Sequence, residues 1–310
     1  MGSYYGLSFG LVGLSAPVRG SNSALGGFLE RYPGASAAYS TRQLRNGITR
    51  CMRVRRSSDN EERDFAPYDL PSGALAEWVG AGDGFVSKWY DQTENQNHLE
   101  QTFNVARQPK IVVSGVLLLS GLKFAGSALK TTKGYAVELS QNPASVFVVT
   151  KSNTIFGPIL AEADVDAYSS NFTLGGTNGD DILSVNGSRF GQTYPTIKAL
   201  AGFIYNGSTF QAYLNGGPSG AAGSALINAE VNFQTYIGSD AREEAENYWS
   251  GSIHEIIIYK SDQTANLVGM NQDINKHFNI YGNQFYLRPD GLSLFRRPDT
   301  TSLYKRPLGS

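Results

Sequence analysis

The chain of 310 residues, 41% of them hydrophobic, is long enough to bury the core of one large β domain or of two ordinary ones. Its net charge of −1 supplies no global field that would draw it to nucleic acid or a membrane surface. The single cysteine, Cys51, excludes an intramolecular disulfide framework and a Cys-based zinc site, and the three scattered histidines, His98, His254 and His277, argue against a His-rich metal centre.

A charged content of 17% beside 35 Gly, 17 Tyr and 16 Phe suits an all-β protein with many turns. The opening MGSYYGLSFGLVGLSAPVRG lacks a basic signal-peptide region. The most apolar stretch, IVVSGVLLLSGLKF, is broken by Gly and Lys before it could span a bilayer. The expectation is a soluble chain made in a cytoplasm, without insertion into a membrane.

In chain order, residues 1–22 read as a separate arm. Gly2, Gly6, Gly10, Gly13 and Gly20 weaken any helix, and Leu7, Phe9, Leu11 and Val12 would be exposed on an isolated segment. It is either an extra edge strand or a docking segment for another subunit. Residues 35–47, ASAAYSTRQLRNG, read as a short helix ended by Asn46-Gly47. Cys51 to Arg55 is strand-like. In the charged turn that follows, Arg53, Arg55 and Arg56 balance Asp59, Glu61, Glu62 and Asp64, a pattern of surface ion pairing rather than of a phosphate site. Gly73 to Val79 reads as a second short helix.

The stretch FVSKWYDQTENQNHL, residues 85–99, begins as a strand, with Phe85, Ser87 and Trp89 alternating against Val86, Lys88 and Tyr90. It ends in a polar knot of Asp91, Gln92, Asn95, Gln96, Asn97 and His98, residue types that bond nearby backbone and favour turns. The knot is either a structural corner or the rim of a polar site. As a rim it makes Trp89, Tyr90, Asp91, Asn95, Asn97 and His98 candidate binding residues for a sugar or an ion. Glu94, His98 and Glu100 match no recognised metal-ligand spacing.

From residue 109 onward short strands are expected at 109–116, 121–125, 145–150, 156–162, 171–176, 181–186, 198–205, 208–214, 231–238 and 251–259. Asn206-Gly207 marks a hairpin and Asn215-Gly216-Gly217-Pro218 another turn. Regular short strands with turns between them indicate a sandwich or barrel. Ile256, Ile257 and Ile258 read as a strand buried on both faces. The closing helix carries Leu267, Met270, Ile274 and Phe278 on one stripe, capped by Ser261 or Thr264. Asp240, Arg242, Glu243, Glu244 and Glu246 form a long acidic loop, either solvated or holding calcium through carboxylates and carbonyls. The last residues repeat an aromatic-x-Arg-Pro-Asp-x-x-Ser-Leu unit every nine positions. Tyr286, Phe295 and Tyr304 are each followed two residues later by Arg288, Arg297 and Arg306. Aromatic and Arg residues are enriched at interfaces, so these six are candidate assembly residues.

Two blocks carry a resemblance. AAYSTRQLR, CMRVRRSSDNEERDF and FVSKWYDQTENQNHLEQ, within residues 37–101, resemble the start of the catalytic domain of fungal α-L-arabinofuranosidase B. They resemble more closely a set of bacteriophage structural proteins with the WYDQ-x-x-N-x-N run. The second block, TFQAYLNG, YIGSD and YWSGSIHEIIIYKSD with the final helix, is similar to the end of laminin-G-like, concanavalin A-like sandwiches. The arabinofuranosidase resemblance implies that Asp240 sits at the acid/base position. It also implies a Glu nucleophile on a mid-domain strand, but the corresponding run here, DILSVNGSRF from Asp181 to Phe190, has no Glu, and Asp180 and Asp181 lie at its wrong end. The family's adjacent cysteine pair is missing as well. Retaining glycoside hydrolysis needs two carboxyl groups.

The resemblances imply an all-β, concanavalin A-like jelly-roll sandwich over residues 23–283, with arms at 1–22 and 284–310. The expected function is noncatalytic, in a phage virion made in a bacterial cytoplasm: a tail, fibre or head-surface protein acting in assembly or in adhesion to a host-surface glycan. Its expected partners are other virion proteins and further copies of itself, with no cofactor. A glycoside hydrolase of arabinofuranosidase type and a stand-alone carbohydrate-binding module are the alternatives.

Overall fold

The computed structural model describes residues 26–281, except 120, 135, 140–141, 154–156, 165–169, 176–181, 228–232 and 241–247, together with the backbone of Phe285–Leu287 and Leu294–Arg296. The short helix α1 (Phe28–Arg31) precedes strands β1 (Ala35–Ser40), β2 (Met52–Arg56) and β3 (Glu62–Phe65), then helix α2 (Ala74–Val79) and β4 (Gly84–Trp89). Next come β5 (Leu99–Glu100), β6 (Lys110–Val113), β7 (Val116–Leu117), β8 (Leu122–Ala125), β9 (Leu129–Thr131) and the long β10 (Ala144–Ser152). After these run β11 (Leu160–Asp164), β12 (Ser170–Leu174), β13 (Leu183–Val185), β14 (Ser188–Phe190), β15 (Lys198–Tyr205), β16 (Phe210–Leu214) and β17 (Gly217–Gly223). The domain closes with β18 (Phe233–Ile237), β19 (Ser250–Tyr259) and helix α3 (Leu267–Phe278), and the separate hairpin β20 (Phe285–Leu287) and β21 (Leu294–Arg296) follows.

All strand pairings are antiparallel and build an all-β sandwich. The back sheet runs β17-β16-β15-β10-β19, and β19 then pairs β1 along one half and β8 along the other. The front sheet runs from β3 through β2 and β4 to β5, and on through β9, β18, β11, β12, β13 and β14. β6 pairs the first half of β4 and joins the two sheets through its Lys110↔Lys123 contact with β8.

Ile256 and Ile258 of β19 face the core between the sheets, with Val146, Val148, Phe203, Met52, Trp89 and Phe172. Ile257 faces the opposite way, against Phe28, Leu267, Met270 and Ile274 of the two flanking helices. The triple-Ile strand is therefore buried on both faces, as its composition predicts, and each such side chain contributes roughly 1.5–3 kcal/mol of burial. The stripe of α3 packs on the back of the sandwich, and Tyr32 Oη donates to Asp273 Oδ2 at 2.9 Å to tie the two helix segments together.

Four expectations are corrected. Residues 35–47 are not a helix: β1 occupies Ala35–Ser40, and a loop follows. Ala37, Ala38 and Tyr39 pair with Ile258, Ile257 and Ile256, and this tertiary pairing overrides the helix preference of alanine. The strict alternation read in β4 fails at Ser87, where the register against β2 slips between Arg53 and Val54. This bulge lies where β4 changes partner from β6 to β5, and it turns both Val86 and Trp89 inward. Neither Ser261 nor Thr264 caps α3. Asn266 holds the N-cap position but its side chain donates to Gln263 Oε1 rather than capping the helix, and Thr264 donates its N–H and Oγ1–H to Asp262 Oδ1. Finally, Gly217–Gly223 is a strand rather than a turn alone. Asn215 and Gly216, both at positive φ, form the turn, and Pro218 is tolerated because β17 is an edge strand.

Candidate functional site

The polar knot grows directly out of β4. After Trp89 the chain turns along β1, whose opposite edge is already paired with β19. Gln92 N–H donates to Ala38 O at 2.8 Å, and Ala38 N–H donates to Asp91 Oδ1 at 2.9 Å, so a carboxylate oxygen completes the strand ladder. The same Oδ1 accepts from Thr93 N–H at 2.9 Å, while Oδ2 accepts from Thr93 Oγ1 at 2.8 Å and Asn97 N–H at 2.9 Å. All four bonds are accepted, the pattern of an ionised carboxylate. Burial raises the Asp91 pKa, and the hydrogen bonds from Thr93, Ala38 and Asn97 oppose that rise. Gln92 continues the seam: its Nε2 donates to Ser40 O and Arg42 O, and its Oε1 accepts from Leu44 N–H. Asn95 Nδ2 donates to Ser36 O at 2.9 Å. The knot therefore covers the edge of β1 that no strand pairs among the described residues.

The other members hold the knot to its surroundings. Asn97 is buried; its carbonyl accepts from Tyr39 Oη at 2.5 Å and its Oδ1 from Lys133 N–H at 2.9 Å. His98 Nδ1 accepts from Asp91 N–H at 3.2 Å, which places the ring proton on Nε2. Burial, then Lys88 and Arg50, hold the imidazole down at about 4, so it is neutral at pH 7. Tyr90 packs edge-on to His98, lies under the Arg50 guanidinium at 4.6 Å and donates to Asp64 Oδ1 at 2.8 Å. Burial and that bond push its hydroxyl up to about 12. Trp89 points into the core, fully buried against Tyr39, and lines neither cleft.

Two clefts flank the knot. The larger, about 590 Å³, lies between α1 with the turn after it, the start of β1, and Thr93–Asn95; Glu30, Ser36, Arg45 and Lys260 also line it. The smaller, about 310 Å³, lies between the 45–50 loop and the knot, lined by Arg45, Asn46, Thr49, Arg50, Tyr90, Gln96 and His98 among others. Both volumes are within the range of small-molecule sites. Arg45, Thr93 and Glu94 border both, and the Arg45 Nη2–Glu94 Oε1 pair at 2.8 Å forms the ridge between them.

Sequence reasoning missed the basic half of this site. Arg45 and Asn46 belong to the end of the stretch read as a helix, and Thr49 and Arg50 to the unassigned residues between it and the next strand. The available signal was TRQLRNGITR itself, dense in Arg and broken by Asn-Gly before the next strand. It also missed two buried carboxylates. Glu255 accepts from Ser40 Oγ and takes a bidentate pair from Arg42. Glu162 accepts from Val137 N–H and Thr235 Oγ1. The charged turn behaves as read, with Arg56 bonded to Asp59 and Glu61 and Arg53 to Asp64.

Asp240 is buried just beyond β18, beside the Ser239↔Tyr248 bridge, and lines neither cleft. Around β9 the chain passes from Ser127, which lies against Gly238, to Lys133, which binds Asn97, and β9 pairs Ile237 at its start and Leu99 at its end, so Asp240 and the knot lie toward opposite ends of this strand. The structure thus does not bring Asp240 together with Tyr90, Asp91, Asn95, Asn97 and His98. β13 and β14, from the run compared with the nucleophile strand, carry no carboxylate, and Asp180, Asp181 and the acidic residues Glu243, Glu244 and Glu246 lie outside the described residues. Among the described residues no cluster of three His, Cys, Asp or Glu is placed to hold a metal ion. Of the terminal repeat, Tyr286 and Phe295 stand directly opposite each other in the β20–β21 ladder, and Arg288, Arg297, Tyr304 and Arg306 lie outside the described residues.

No family model matches the chain, and no curated protein matches it in sequence. Solved structures do share its fold. A GH54 α-L-arabinofuranosidase soaked with a cyclic sulfate inhibitor aligns with a TM-score of 0.54 at 15% identity, covering 79% of this chain and 63% of that one. An arabinofuranosidase complexed with arabinofuranosyl-α-1,2-xylobiose aligns with a TM-score of 0.54 at 13% identity over the same shares. The chain therefore spans 63% of the length of these structures, and at such identity what they share with it is the fold of the sandwich.

Proposed function

We propose that this chain is a noncatalytic, glycan-binding sandwich that serves as a structural protein of a phage virion, in a tail, fibre or head-surface appendage. The observation that carries the binding part is the pair of clefts on either side of the Arg45–Glu94 ridge. The smaller is walled mainly by polar and planar side chains, the larger by polar groups beside Leu29, Pro33 and Ala35, and the knot between them is held by a carboxylate bonded on both oxygens. A rigid support under a polar cleft suits recognition of hydroxyl-rich ligands, because little order has to be imposed on binding. The fold likeness to arabinofuranosidases agrees with a saccharide ligand. The virion context rests on the WYDQ-x-x-N-x-N block, and the attachment to other virion proteins and to further copies of the chain rests on the terminal repeat.

The described carboxylates around the clefts support the noncatalytic part. Glu94 is paired with Arg45, Glu30 Oε1 accepts from Asn46 N–H at 2.8 Å, and Asp240 lies at the far end of the strands. Hydrolysis with retention requires two carboxyl groups about 5–5.5 Å apart across the scissile bond. The second reading, a glycosidase of arabinofuranosidase type, is favoured by the placement of buried Asp240 after the Ile237-Gly238 strand end. Incubation of the pure chain with aryl α-L-arabinofuranosides separates the two. We expect no turnover, together with retention of the chain on a glycan array. Turnover that disappears in Asp240→Asn establishes the glycosidase instead.

A further inference from the structure

The smaller cleft differs in chemistry from the larger one. The Asp64 carboxylate nearby is occupied: Oδ1 accepts from Arg53 Nε at 2.7 Å and from Tyr90 Oη at 2.8 Å, and Oδ2 from Arg53 Nη2 at 3.2 Å. Arg50 reaches that group only at 3.7 Å, beyond hydrogen-bond length, and its side chain is 52% exposed. The guanidinium is nevertheless held over the Tyr90 ring, its central carbon 4.6 Å from the ring centre, a contact that leaves its N–H donors unconsumed. His98 adds an Nε2–H donor, because its Nδ1 is engaged by Asp91 N–H. Asp91, the buried carboxylate in the cleft wall, is bonded on both oxygens, and Glu94 is neutralised by Arg45. Around the ring, Lys88, Arg50 and Lys133 disfavour a proton on His98, while Glu100, which is ion-paired with Lys88, favours one.

We infer that the smaller cleft binds the carboxylate of an acidic saccharide, with Arg50 as the charged anchor and the His98 Nε2–H as the second donor. A planar guanidinium meets a carboxylate through two parallel bonds, while the neutral imidazole adds a donor without the cost of a second buried charge. The cleft volume of about 310 Å³ accommodates one sugar ring, and the chain of sugars continues over the Arg45–Glu94 ridge into the larger cleft. The inference rests on the glycan-binding reading above and names the ligand class for the same site.

The test is calorimetric titration of the full chain with trigalacturonate, its neutral methyl ester, 3′-sialyllactose and arabinotriose, alongside acetate. Binding of an acidic oligosaccharide that weakens with added salt, and weakens about tenfold or more in Arg50→Gln, is the expected result. Arg50 is half-exposed, so this variant should keep the parent melting temperature, and Arg50→Lys should recover only part of the affinity. Equal binding of the methyl ester and the acid, or binding of arabinotriose alone, overturns the acidic-ligand inference while leaving the glycan reading intact. Acetate that competes as well as the oligosaccharide overturns the saccharide part. If none of the saccharides binds, both the inference and the reading beneath it fail.

Discussion

Asp91 joins three backbone N–H groups that have no other partner in the knot: those of Ala38, Thr93 and Asn97. Removing it strands them in a buried corner. Asp91→Ala should therefore lose roughly 1–3 kcal/mol of stability in denaturant melts, and Asp91→Asn, which keeps one carbonyl acceptor, should lose less. Unchanged stability with lost glycan binding would assign the residue to the ligand rather than the corner. His254 offers a pH test. It is buried, packed edge-on to Phe278, and burial, Lys198 and Lys151 lower its pKa to about 4. A histidine near 6.5 when unfolded and about 4 when folded takes up protons preferentially in the unfolded state between those values. Its stabilisation is thus complete above 6.5 and lost as pH falls toward 4. His98 acts in the same direction with a less buried ring. We expect the melting temperature to fall across this window, and to fall less steeply in His254→Gln. The turn-forming character of Asp91, Asn95 and Asn97 was legible in the sequence. That Tyr90 and not Trp89 reaches the cleft was not, because a one-residue bulge at Ser87 leaves no compositional mark.

At the level of elements, β10, β15 and β19 form the centre of the back sheet, and their apolar runs were legible because strands covered on both faces need no alternation. The short strands β5, β9 and β14 escaped detection because two or three residues carry no period. β1 was misread because its Ala-rich sequence suits a helix, and only the distant Ile256–Ile258 partner makes it a strand. The β10–β15 contact has one point without slack. A Cβ at Gly202 would lie 1.9 Å from the Val146 carbonyl oxygen on the neighbouring strand. Gly202→Ala should cost about 3 kcal/mol or more, read as a lowered urea midpoint or a loss of soluble yield. Gly217→Ala, on the edge strand β17, where a Cβ would meet nothing nearer than the Leu214 carbonyl oxygen at 3.9 Å, should be much milder.

Over the whole molecule, the described chain begins and ends its sandwich on the same layer. α1 and α3 both cover the back sheet and are tied through Tyr32, Arg31 and Asp273. Beyond Tyr281 the nine-residue repeat yields a hairpin in which successive aromatics, Tyr286 and Phe295, oppose each other. A lone two-stranded ladder is marginally stable in water, so it should gain its order from a partner. A chain ending at Tyr281 should keep its melting temperature and remain monodisperse, yet fail to join its oligomer or its virion neighbours in co-sedimentation. Loss of stability in that truncated chain would show that the repeat clips onto its own sandwich.

The covered edge of β1 also bears on how the chain reaches this state. β1 takes its other neighbour from β19, and Ser40 and Glu255, which bond across that seam, are 215 residues apart in sequence. At about 5–20 residues per second, synthesis of that interval lasts roughly 10–40 s. Throughout it β1 has no strand beside it, while Asp91 and Gln92 arrive only some fifty residues after Ala38 and Leu44. The knot can thus occupy one side of β1 early and keep it from pairing with other nascent chains, leaving a single side for β19. Closing so long a loop comes late and slowly. Refolding should accordingly show an early phase confined to the residues up to about 100, and a slow final phase that Asp91→Ala diverts toward aggregation.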